Sequence, residues 1–357
     1  MYLCPQNNYS LTMYGFVNDY SVIAHPNIMK RMSEINLDQH IGYGFDEICK
    51  SARHLLRIKI GNPWARVFFV VGGTQANMSV ISSLLKSAEA AVCANTGHIF
   101  VHETGAIEAT GHRVITIDTP DGKLTPTHVE KVLMQYKERP HVVKPKLVYI
   151  SDSTEIGTIY TRAELKALHD FCKKHNLYFF CDGARMGSAL TAEGNDLTLH
   201  DFAELTDVFY IGGTKNGALM GEAVIFNDPK LGEDYDMVMK QRGALLAKGW
   251  ILGLQFYELF KEDLYWNLAR HANKMAKKIA TAFKENGFPM LTDSHTNQVF
   301  PILTHAQQEA LSQKWGFEYW GPVDEEKDAF RFVCAWNTEE EKVDKLVEDI
   351  KTLNIKH

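Results

Sequence analysis

Short apolar runs alternate with helical patterns over the first two thirds of the chain. The runs are Val67–Val71, Lys146–Asp152, Leu177–Cys181, Asp207–Ile211 and Glu222–Phe226. They lack the polar–apolar alternation of a half-exposed strand, which favours a sheet buried on both faces. One helical pattern follows Gly72–Gly73–Thr74, and another begins at a capping box formed by Thr161 and Glu164. This alternation predicts an α/β fold with a largely parallel sheet.

The last third of the chain has a different pattern. Helices are predicted at Leu254–Phe260 and Leu268–Phe283, and a strand at Phe330–Ala335 precedes a final helix that starts at a Thr338/Glu341 capping box. The change places a domain boundary near residue 250. We therefore expect three parts: an N-terminal arm (1–20) that packs on another element or subunit, a large domain (21–250) and a small C-terminal domain (251–357).

Composition and charge exclude several classes of function. The chain has 38 Lys and Arg against 44 Asp and Glu, a net charge of −6. Without a basic block we expect no nucleic-acid partner. No apolar run approaches the ~18 residues of a membrane helix, and Met1–Asn8 lacks the pattern of a secretory signal. The six cysteines form no CxxC pair or metal-like spacing, so we expect free thiols and a cytoplasmic location.

Unusual polar residues follow four of the predicted strands. These clusters are Gly72–Thr74, Ser151–Glu155, Asp182–Arg185 and Gly213–Lys215. In open α/β sheets, ligands bind outside the carboxyl ends of the strands. We therefore expect all four clusters to meet at one ligand site.

Three of these clusters carry recognisable chemistry, and each has a plainer alternative. Gly72–Gly73–Thr74 before a helix suits an anion such as phosphate, although it also fits an ordinary strand–helix turn. Asp182 ends an apolar strand and needs a cation, which an ion pair with Arg185 could supply. Lys215 at the mouth of the sheet could act as an amine nucleophile, or it could be a solvated loop lysine.

Together the three groups match one cofactor, pyridoxal 5′-phosphate. Its phosphate needs an anion cradle, its pyridine nitrogen needs a carboxylate to stay protonated, and its aldehyde needs an amine for a Schiff base. A nicotinamide cofactor is a weak alternative, because Gly42–Tyr43–Gly44 is followed by Glu47 where the dinucleotide fingerprint requires a third glycine.

The ordered motifs resemble those of the threonine aldolase / β-eliminating lyase family over roughly residues 15 to 355. The motifs are Asn18–Asp19–Tyr20, Tyr43–Gly44, Phe69–Asn77, His98–Ile99–Phe100 with Glu103, Cys181–Arg185, Gly213–Asn216 and Arg331–Val333. The resemblance implies a fold-type-I enzyme dependent on pyridoxal phosphate. Such an enzyme has a large domain with a mostly parallel seven-stranded sheet and a smaller C-terminal α+β domain.

The resemblance also implies roles around the cofactor. Lys215 would form the Schiff base, Asp182 would pair with the pyridinium nitrogen, and His98 would stack on the ring unless it is a structural strand histidine. The phosphate or phenolate contacts are implied for Gly73, Thr74, Thr214 and Arg185, with Lys240 and Lys248 reaching the phosphate region, often across a subunit interface. His102 would need a third ligand to make a metal site with His98, and none is evident, so we expect no metal.

On the substrate side, the resemblance implies that Arg331 binds the α-carboxylate, and a strand-edge salt bridge is the alternative. Asn18 and Tyr43 are implied to contact substrate, Tyr43 from a neighbouring subunit. One position departs from the family. Glu155 stands where threonine aldolases usually place a histidine that contacts the β-hydroxyl group. It could be a base for that hydroxyl, a group that binds a different substrate, or an ion-pair partner of a nearby Lys or Arg.

The resemblance predicts cleavage of a threonine-like or allo-threonine-like β-hydroxy-α-amino acid to glycine and an aldehyde. It implies a homodimer or homotetramer with shared active sites. Two alternatives stay open at this point, because fold and cofactor do not decide which bond breaks. One is β-elimination or transamination at the same site. The other is a non-catalytic protein that keeps the fold.

Overall fold

The computed structural model describes residues 13–353. Their helices are α1 (Pro26–Glu34), α2 (Glu47–Ile60), α3 (Gly73–Leu84), α4 (His98–Val101), α5 (Pro126–Gln135), α6 (Arg162–Lys174), α7 (Met186–Leu190), α8 (Leu199–Leu205), α9 (Tyr235–Gln241), α10 (Trp250–Phe260), α11 (Leu264–Glu285), α12 (His305–Ser312) and α13 (Glu340–Thr352). Their strands are β1 (Tyr14–Gly15), β2 (Arg66–Val70), β3 (Glu89–Ala94), β4 (Arg113–Ile117), β5 (Lys144–Ser151), β6 (Tyr178–Asp182), β7 (Val208–Gly212), β8 (Glu222–Phe226), β9 (Gln298–Val299), β10 (Ile302–Thr304), β11 (Trp315–Gly316), β12 (Glu318–Pro322) and β13 (Lys327–Val333).

A seven-stranded sheet forms the centre of the molecule, in the order β2-β8-β7-β6-β5-β3-β4. Only β8 runs antiparallel to its neighbours β2 and β7, and every other pairing in this sheet is parallel. The predicted α/β fold with a mostly parallel sheet is therefore confirmed. Because β2, β5, β6 and β7 run in the same direction, their carboxyl ends lie at the same edge.

Both faces of this sheet are buried, which explains the continuous apolar runs. Along β6, Phe179 and Cys181 pack into the core on one face, while Phe180 packs into the core on the other. A strand covered on both sides gains from apolar residues at every position, so its sequence does not alternate. The same residues therefore predict a strand and its place in the middle of the fold.

The small C-terminal sheet has the order β10-β13-β12, with β9 also paired to β13. Its core includes side chains of α11 and α13, and also Phe16 from the N-terminal arm. The change of core falls inside α11, since Leu268 packs with the large sheet and Met275 with the small one. The described part of the arm thus packs on the small domain, while the proposed boundary at residue 250 stays a prediction.

One of the two predicted capping boxes is confirmed and the other is wrong. Thr161 and Glu164 cap α6 reciprocally, as the sequence indicates. At α13, however, the N-cap is Glu339, and no side chain caps the helix. The Thr338 hydroxyl is used elsewhere, accepting a hydrogen bond from the Ala335 N–H at 2.8 Å. The chain therefore turns tightly before the helix begins.

None of the helices within residues 13–353 combines the length and the apolar character that crossing a bilayer requires. The five cysteines in this part of the chain are buried free thiols. Cys4 and the rest of the arm up to residue 12 lie outside the described residues.

Candidate active site

A cavity of about 260 Å³ opens at the carboxyl edge of β2, β5, β6 and β7. All four polar clusters identified in the sequence contribute to its wall. The lining residues are Tyr20, Val71, Gly72, Gly73, Thr74, His98, Ser151, Ser153, Glu155, Asp182, Ala184, Arg185, Tyr210, Thr214, Lys215 and Glu222. The structure thus brings together eight of the predicted site residues, namely Gly73, Thr74, His98, Glu155, Asp182, Arg185, Thr214 and Lys215.

Asp182 is held in this cavity by a set of hydrogen-bond donors. The Tyr149 hydroxyl (2.6 Å) and the Asn77 side-chain amide (2.9 Å) donate to Oδ2. The Tyr210 hydroxyl and the Ala184 N–H donate to Oδ1. These donors come from α3, from β5, from β7 and from the turn that follows β6, so the carboxylate is fixed by several elements at once.

These donors keep the buried carboxylate ionised. Burial would raise the pKa of Asp182, but the positive charge of His98 and the three side-chain hydrogen bonds hold it below its ordinary value. His98 is itself oriented, because its Nδ1 lies 2.8 Å from Glu103 Oε1. Glu103 also accepts a hydrogen bond from Asn77 at 2.7 Å, which joins the two carboxylates in one network. His98 begins the short helix α4 and does not lie in a strand, while its stacking on a cofactor ring stays a prediction.

The turn Gly72–Gly73–Thr74 leads directly into α3. Gly72 is the N-cap in extended conformation, and no side chain caps the helix. The first N–H groups of this helix therefore remain available to an anion, which the helix dipole also favours. A Cβ atom at Gly73 would lie 2.9 Å from the Tyr210 hydroxyl, so a side chain there would displace a donor to Asp182.

Lys215 lies in the loop after β7, and its side chain is partly buried in the cavity wall. Burial and the nearby Arg185 lower the pKa of Lys215. Within residues 13–353 no carboxylate oxygen lies within 4.0 Å of its Nζ. Such an amine is easier to deprotonate than a surface lysine, as a nucleophile requires.

Arg185 does not pair with Asp182, so that alternative is wrong. Its guanidinium binds Asp19 with two hydrogen bonds, from Nε at 2.7 Å and from Nη2 at 3.1 Å. Asn297 donates a further hydrogen bond to Asp19 at 2.9 Å. Burial would raise the pKa of Asp19, but the positive charges of Arg185 and Lys215 lower it. The arm and the small domain thus fix a cation that lines the cavity of the large domain.

Two glycines allow the turn after β6 to reach this position. A Cβ atom at Gly183 would overlap the Tyr210 carbonyl oxygen, at 1.9 Å, and one at Gly212 would overlap the Ala184 carbonyl oxygen, at 2.2 Å. The Gly212 N–H donates to the Gly183 carbonyl at 2.9 Å. Backbone contact this close is possible only without side chains. It brings Asp182 and Lys215, which follow neighbouring strands, into one cavity.

Glu155 is buried in the cavity wall next to His98. Its Oε1 accepts hydrogen bonds from the Ser151 hydroxyl (2.6 Å) and from the His98 N–H (2.9 Å). No Lys or Arg nitrogen within the described residues lies at ion-pair distance, which does not favour the ion-pair alternative. Burial raises the pKa of Glu155, and the nearby Asp182 adds to this effect.

Arg331 lies outside the cavity lining, on β13 of the small domain. It pairs with Glu318, its cross-strand neighbour on β12, and its Nη1 lies 3.3 Å from Gln298 Oε1. Its guanidinium carbon also lies 5.0 Å from the centre of the Trp320 ring. Trp320 occupies an irregularity in the β12–β13 pairing, and β-bulges of this kind redirect a side chain. Arg331 therefore has the strand-edge salt bridge that the sequence left open.

The remaining predicted residues also lie outside the cavity lining. Lys240 Nζ is 4.5 Å from the centre of the Tyr43 ring, and both side chains are exposed. Lys248 is exposed as well. Asn18 accepts hydrogen bonds from the Tyr20 N–H and the Ser21 hydroxyl in a local turn. In a single chain these four residues do not meet the groups of the cavity, and their roles stay predictions.

Sequence reasoning gave no role to several residues that complete the site. They are Asn77, Glu103, Tyr149, Tyr210, Asp19 and Glu222, of which Asn77, Glu103 and Asp19 stand in the family motifs. Tyr149, Tyr210 and Glu222 had a weak signal, a polar group in an otherwise apolar strand, which is costly unless it has a partner. The pattern does not say which partner, because residues that pair are separated by up to 278 positions in the chain.

The cavity holds the groups that pyridoxal phosphate needs. An ionised carboxylate, a partly buried amine and an uncapped helix N-terminus face one space, and a flat histidine side chain lines it. Within residues 13–353, no three His, Cys, Asp or Glu side chains cluster as metal ligands would. The described residues thus fit this cofactor.

Comparison with known proteins agrees with this geometry. Residues 19–306 match the model of the family described as β-eliminating lyase. The chain belongs to that family. It is 32% identical over 337 residues to the low specificity L-threonine aldolase of Pseudomonas aeruginosa, an alignment that covers 94% of this chain and 96% of the relative. The resemblance drawn from the motifs is therefore confirmed.

Solved structures extend the comparison to the fold. The threonine aldolase of Leishmania major has a TM-score of 0.94 and 45% identity, covering 95% of this chain and 99% of that one. The serine palmitoyltransferase of Sphingomonas wittichii has a TM-score of 0.72 at 15% identity, covering 96% and 86% of the two chains, and shows the fold alone. The predicted fold type is thus confirmed over nearly the whole chain.

Proposed function

We propose that this enzyme cleaves a β-hydroxy-α-amino acid, such as threonine or allo-threonine, to glycine and an aldehyde, with pyridoxal phosphate as its cofactor. The observation that carries the proposal is the presence of Asp182 and Lys215 in the wall of one cavity. The first is kept ionised by its donors, and the second is a partly buried amine with a lowered pKa. Bound through its aldehyde, pyridoxal phosphate supplies an electron-accepting ring that takes up the electron pair of the broken Cα–Cβ bond.

The large domain supplies the residues that would hold the cofactor. Asp182 would keep a proton on the ring nitrogen, because an ionised carboxylate fixed by hydrogen bonds stabilises the cation it faces. The N–H groups of Gly73 and Thr74 would bind the phosphate, and Arg185 and Thr214 line the same space. His98, which is oriented by Glu103, would contact the ring.

Lys215 would move protons as well as anchor the cofactor. An amine of Lys215 that is not bound to the cofactor would stay inside the cavity. Because burial lowers its pKa, this amine would give up a proton more readily than a surface lysine. It would therefore be placed to exchange a proton with the substrate.

Glu155 is the proposed base for the β-hydroxyl group. Removing that O–H proton allows the oxygen to form the carbonyl of the aldehyde while the carbon–carbon bond breaks. A carboxylate serves as a base only when it is ionised, and the raised pKa of Glu155 makes the group a stronger proton acceptor. Ser151 donates to its Oε1 and orients it.

Arg331 is the proposed binding group for the substrate α-carboxylate. Its planar guanidinium suits a two-pronged contact with a carboxylate. In this structure Glu318 holds that guanidinium, so substrate binding exchanges one carboxylate for another. The small domain would thus supply the substrate contact and the large domain the cofactor contacts.

An assembly of at least two chains fits an exposed apolar surface of the large domain. The segment from residue 37 to residue 45 exposes four large apolar side chains, those of Leu37, Ile41, Tyr43 and Phe45. An exposed apolar patch of this kind marks an interaction surface. A homodimer or homotetramer would cover it and would bring Tyr43, Lys240 and Lys248 toward a neighbouring site. The buried free thiols support the proposal of a cytoplasmic location.

The test is a visible absorbance spectrum of the purified protein with added pyridoxal phosphate, followed by a screen of β-hydroxy amino acids. We expect a cofactor band and release of glycine with an aldehyde. A keto acid with ammonia would instead indicate β-elimination, and exchange of amino groups would indicate transamination. A protein that takes up no cofactor would contradict the proposal.

A further inference from the structure

Glu222 is a buried carboxylate in the cavity wall for which the reaction above has no use. It begins β8 and lies opposite Gly212 in the antiparallel pair with β7. Its side chain is almost fully buried, and it lines the same cavity as Lys215. A carboxylate is costly to bury unless it is paired, so its position needs a reason.

The hydrogen bonds of Glu222 tie it to the loop that carries Lys215. Its Oε2 accepts a hydrogen bond from the Gly213 N–H at 2.9 Å. The Thr214 hydroxyl accepts a hydrogen bond from the N–H of Gly221, the residue before Glu222, at 2.9 Å. Gly213 and Thr214 are the two residues directly before Lys215. Glu222 therefore fastens the lysine loop to the neighbouring strand.

We propose that Glu222 is a positioning residue for Lys215, which holds the lysine loop in place and shares one proton with the lysine amine. This inference rests on the proposed function, in which Lys215 must become a neutral amine. The shared step is a proton transfer. The N–H bond of the Lys215 ammonium breaks and an O–H bond forms on Glu222, leaving a neutral amine and a neutral acid. The pair carries no net charge before or after the step.

The charges around the pair support this exchange. Burial raises the pKa of Glu222 to about 8, although Lys215 opposes the shift. Burial also lowers the pKa of Lys215, so the two groups titrate closer together than they would in water. The other charged groups that face Lys215 are Arg185, which lowers its pKa, and Asp19 and Asp182, which raise it.

Two neutral phenols complete the surroundings of Glu222. Tyr210 and Tyr265 face it, and burial raises the pKa of each phenol, so neither carries a charge near neutral pH. Of the charged groups near Glu222, Asp182 raises its pKa further and Lys215 lowers it. Because no carboxylate oxygen of the described residues lies within 4.0 Å of the Lys215 Nζ, the transfer requires rotation of the long lysine side chain or one bridging water.

The experiment measures the titration of Lys215 in the full chain after the cofactor has been removed. Cyanate reacts with neutral amines, so its rate at Lys215, read by mass spectrometry of the peptide, follows deprotonation between about pH 6 and 10. For the wild-type chain we expect two steps, because two coupled groups titrate as a pair. In Glu222→Gln we expect a single step. Its midpoint should be lower by about one pH unit, because the negative charge that stabilises the Lys215 ammonium is gone.

Glutamine keeps an acceptor for the Gly213 N–H, so this variant removes the charge and preserves the loop contact. Glu222→Asp restores a carboxylate and is expected to restore the second step. Glu258→Gln is the matched control, because Glu258 on α10 is equally buried but pairs with Lys261, the residue that caps the end of that helix. This variant should leave the Lys215 profile unchanged.

An unchanged Lys215 profile in Glu222→Gln would overturn the inference. If that variant does not fold, the wild-type profile decides, since a single step there would also contradict a shared proton. The labelling needs no cofactor and no substrate. A wild-type chain that showed two steps but bound no pyridoxal phosphate would therefore reject the proposed function and keep this inference.

Discussion

Asp182 is a buried charge and Arg331 a partly exposed one; the proposed reaction needs both, but the two domains hold them in opposite ways. Asp182 receives its hydrogen bonds from four elements of the large domain, and they stabilise the charge that faces the cavity. Arg331 is paired within its own small sheet, with Glu318. Asp182, on the proposed cofactor face, thus has its hydrogen bonds in place before a ligand binds. Arg331, on the proposed substrate face, must leave Glu318 before it can bind a substrate carboxylate.

This difference follows from what each group has to do. A cofactor stays bound through many turnovers, so its contacts gain from being fixed in advance. A substrate must leave after each turnover. Arg331 can then return to Glu318, so its charge is not left without a partner. The following predictions test this contrast, beginning with the cofactor face.

Replacing Lys215 with alanine should have the largest effect. We expect loss of the cofactor absorbance band and a fall in turnover on the order of 10⁴ or more, because the amine nucleophile is removed. Visible spectra and a glycine-release assay measure both quantities. Lys230→Ala, at an exposed lysine in a turn, is the control. If the Lys215→Ala protein kept the cofactor absorbance band and its turnover, another amine would have to bind the cofactor aldehyde.

Asp182→Ala should lower kcat by about 10³, because the ring nitrogen loses the charge that keeps it protonated. The cavity should still bind the cofactor through Lys215, so the band is expected to persist at a shifted wavelength. Tyr210→Phe removes one of its donors and should cost much less, about tenfold. Equal rates for Asp182→Ala and the wild type would remove the carboxylate from the reaction.

Glu155→Gln should lower kcat/KM by about 10², the ordinary contribution of a general base. A base is active only when deprotonated, and the pKa of Glu155 is raised by burial. The kcat/KM of the wild type should therefore stop rising at a higher pH than it would with an ordinary glutamate as base. In Glu155→Gln this rise should be absent. A pH profile of kcat/KM for both proteins measures the difference.

A second substitution at this position separates the two open roles. Glu155→His places the usual residue of the family here. Faster cleavage of threonine would support a role in reading the substrate side chain, whereas an unchanged preference among β-hydroxy amino acids would count against it.

On the substrate face, Arg331→Lys should raise KM about 30-fold and leave kcat nearly unchanged. The lysine keeps the charge but loses the two-pronged contact, and a hydrogen bond to a charged group contributes about 2 kcal/mol. Steady-state kinetics separate KM from kcat. An unchanged KM would place the α-carboxylate on another cation, of which Arg185 in the cavity wall is the first candidate.

Glu318→Gln should have the smallest effect and the opposite sign. The internal carboxylate no longer competes for Arg331, so we expect KM to fall about threefold, within the ordinary range for a partly exposed ion pair. Glu348→Gln, in an exposed pair with Lys351, is the control. A rise in KM would mean that Glu318 orients Arg331 for the substrate and does not compete with it.

The amino-acid sequence by itself determined the strands, their burial on both faces and the edge where the chemistry lies. These features are local, because an apolar run and the residue that follows it are neighbours in the chain. The same reasoning placed Asp182 and Lys215 in one site, since parallel strands end at a common edge. It failed at Thr338, which has the spacing of a capping box with Glu341. In the structure its hydroxyl accepts a hydrogen bond from the Ala335 N–H and does not cap the helix.

Only the tertiary structure decided which charges pair. Asp19 lies 166 positions from Arg185, and the donors of Asp182 come from positions 77, 149, 184 and 210. A polar residue in an apolar segment indicates that a partner is needed, but the packing of the sheet, the arm and the small domain determines which residue that partner is. The local pattern therefore predicts the position of a charge along the chain. The packing determines its partners, and through them its pKa and its possible role.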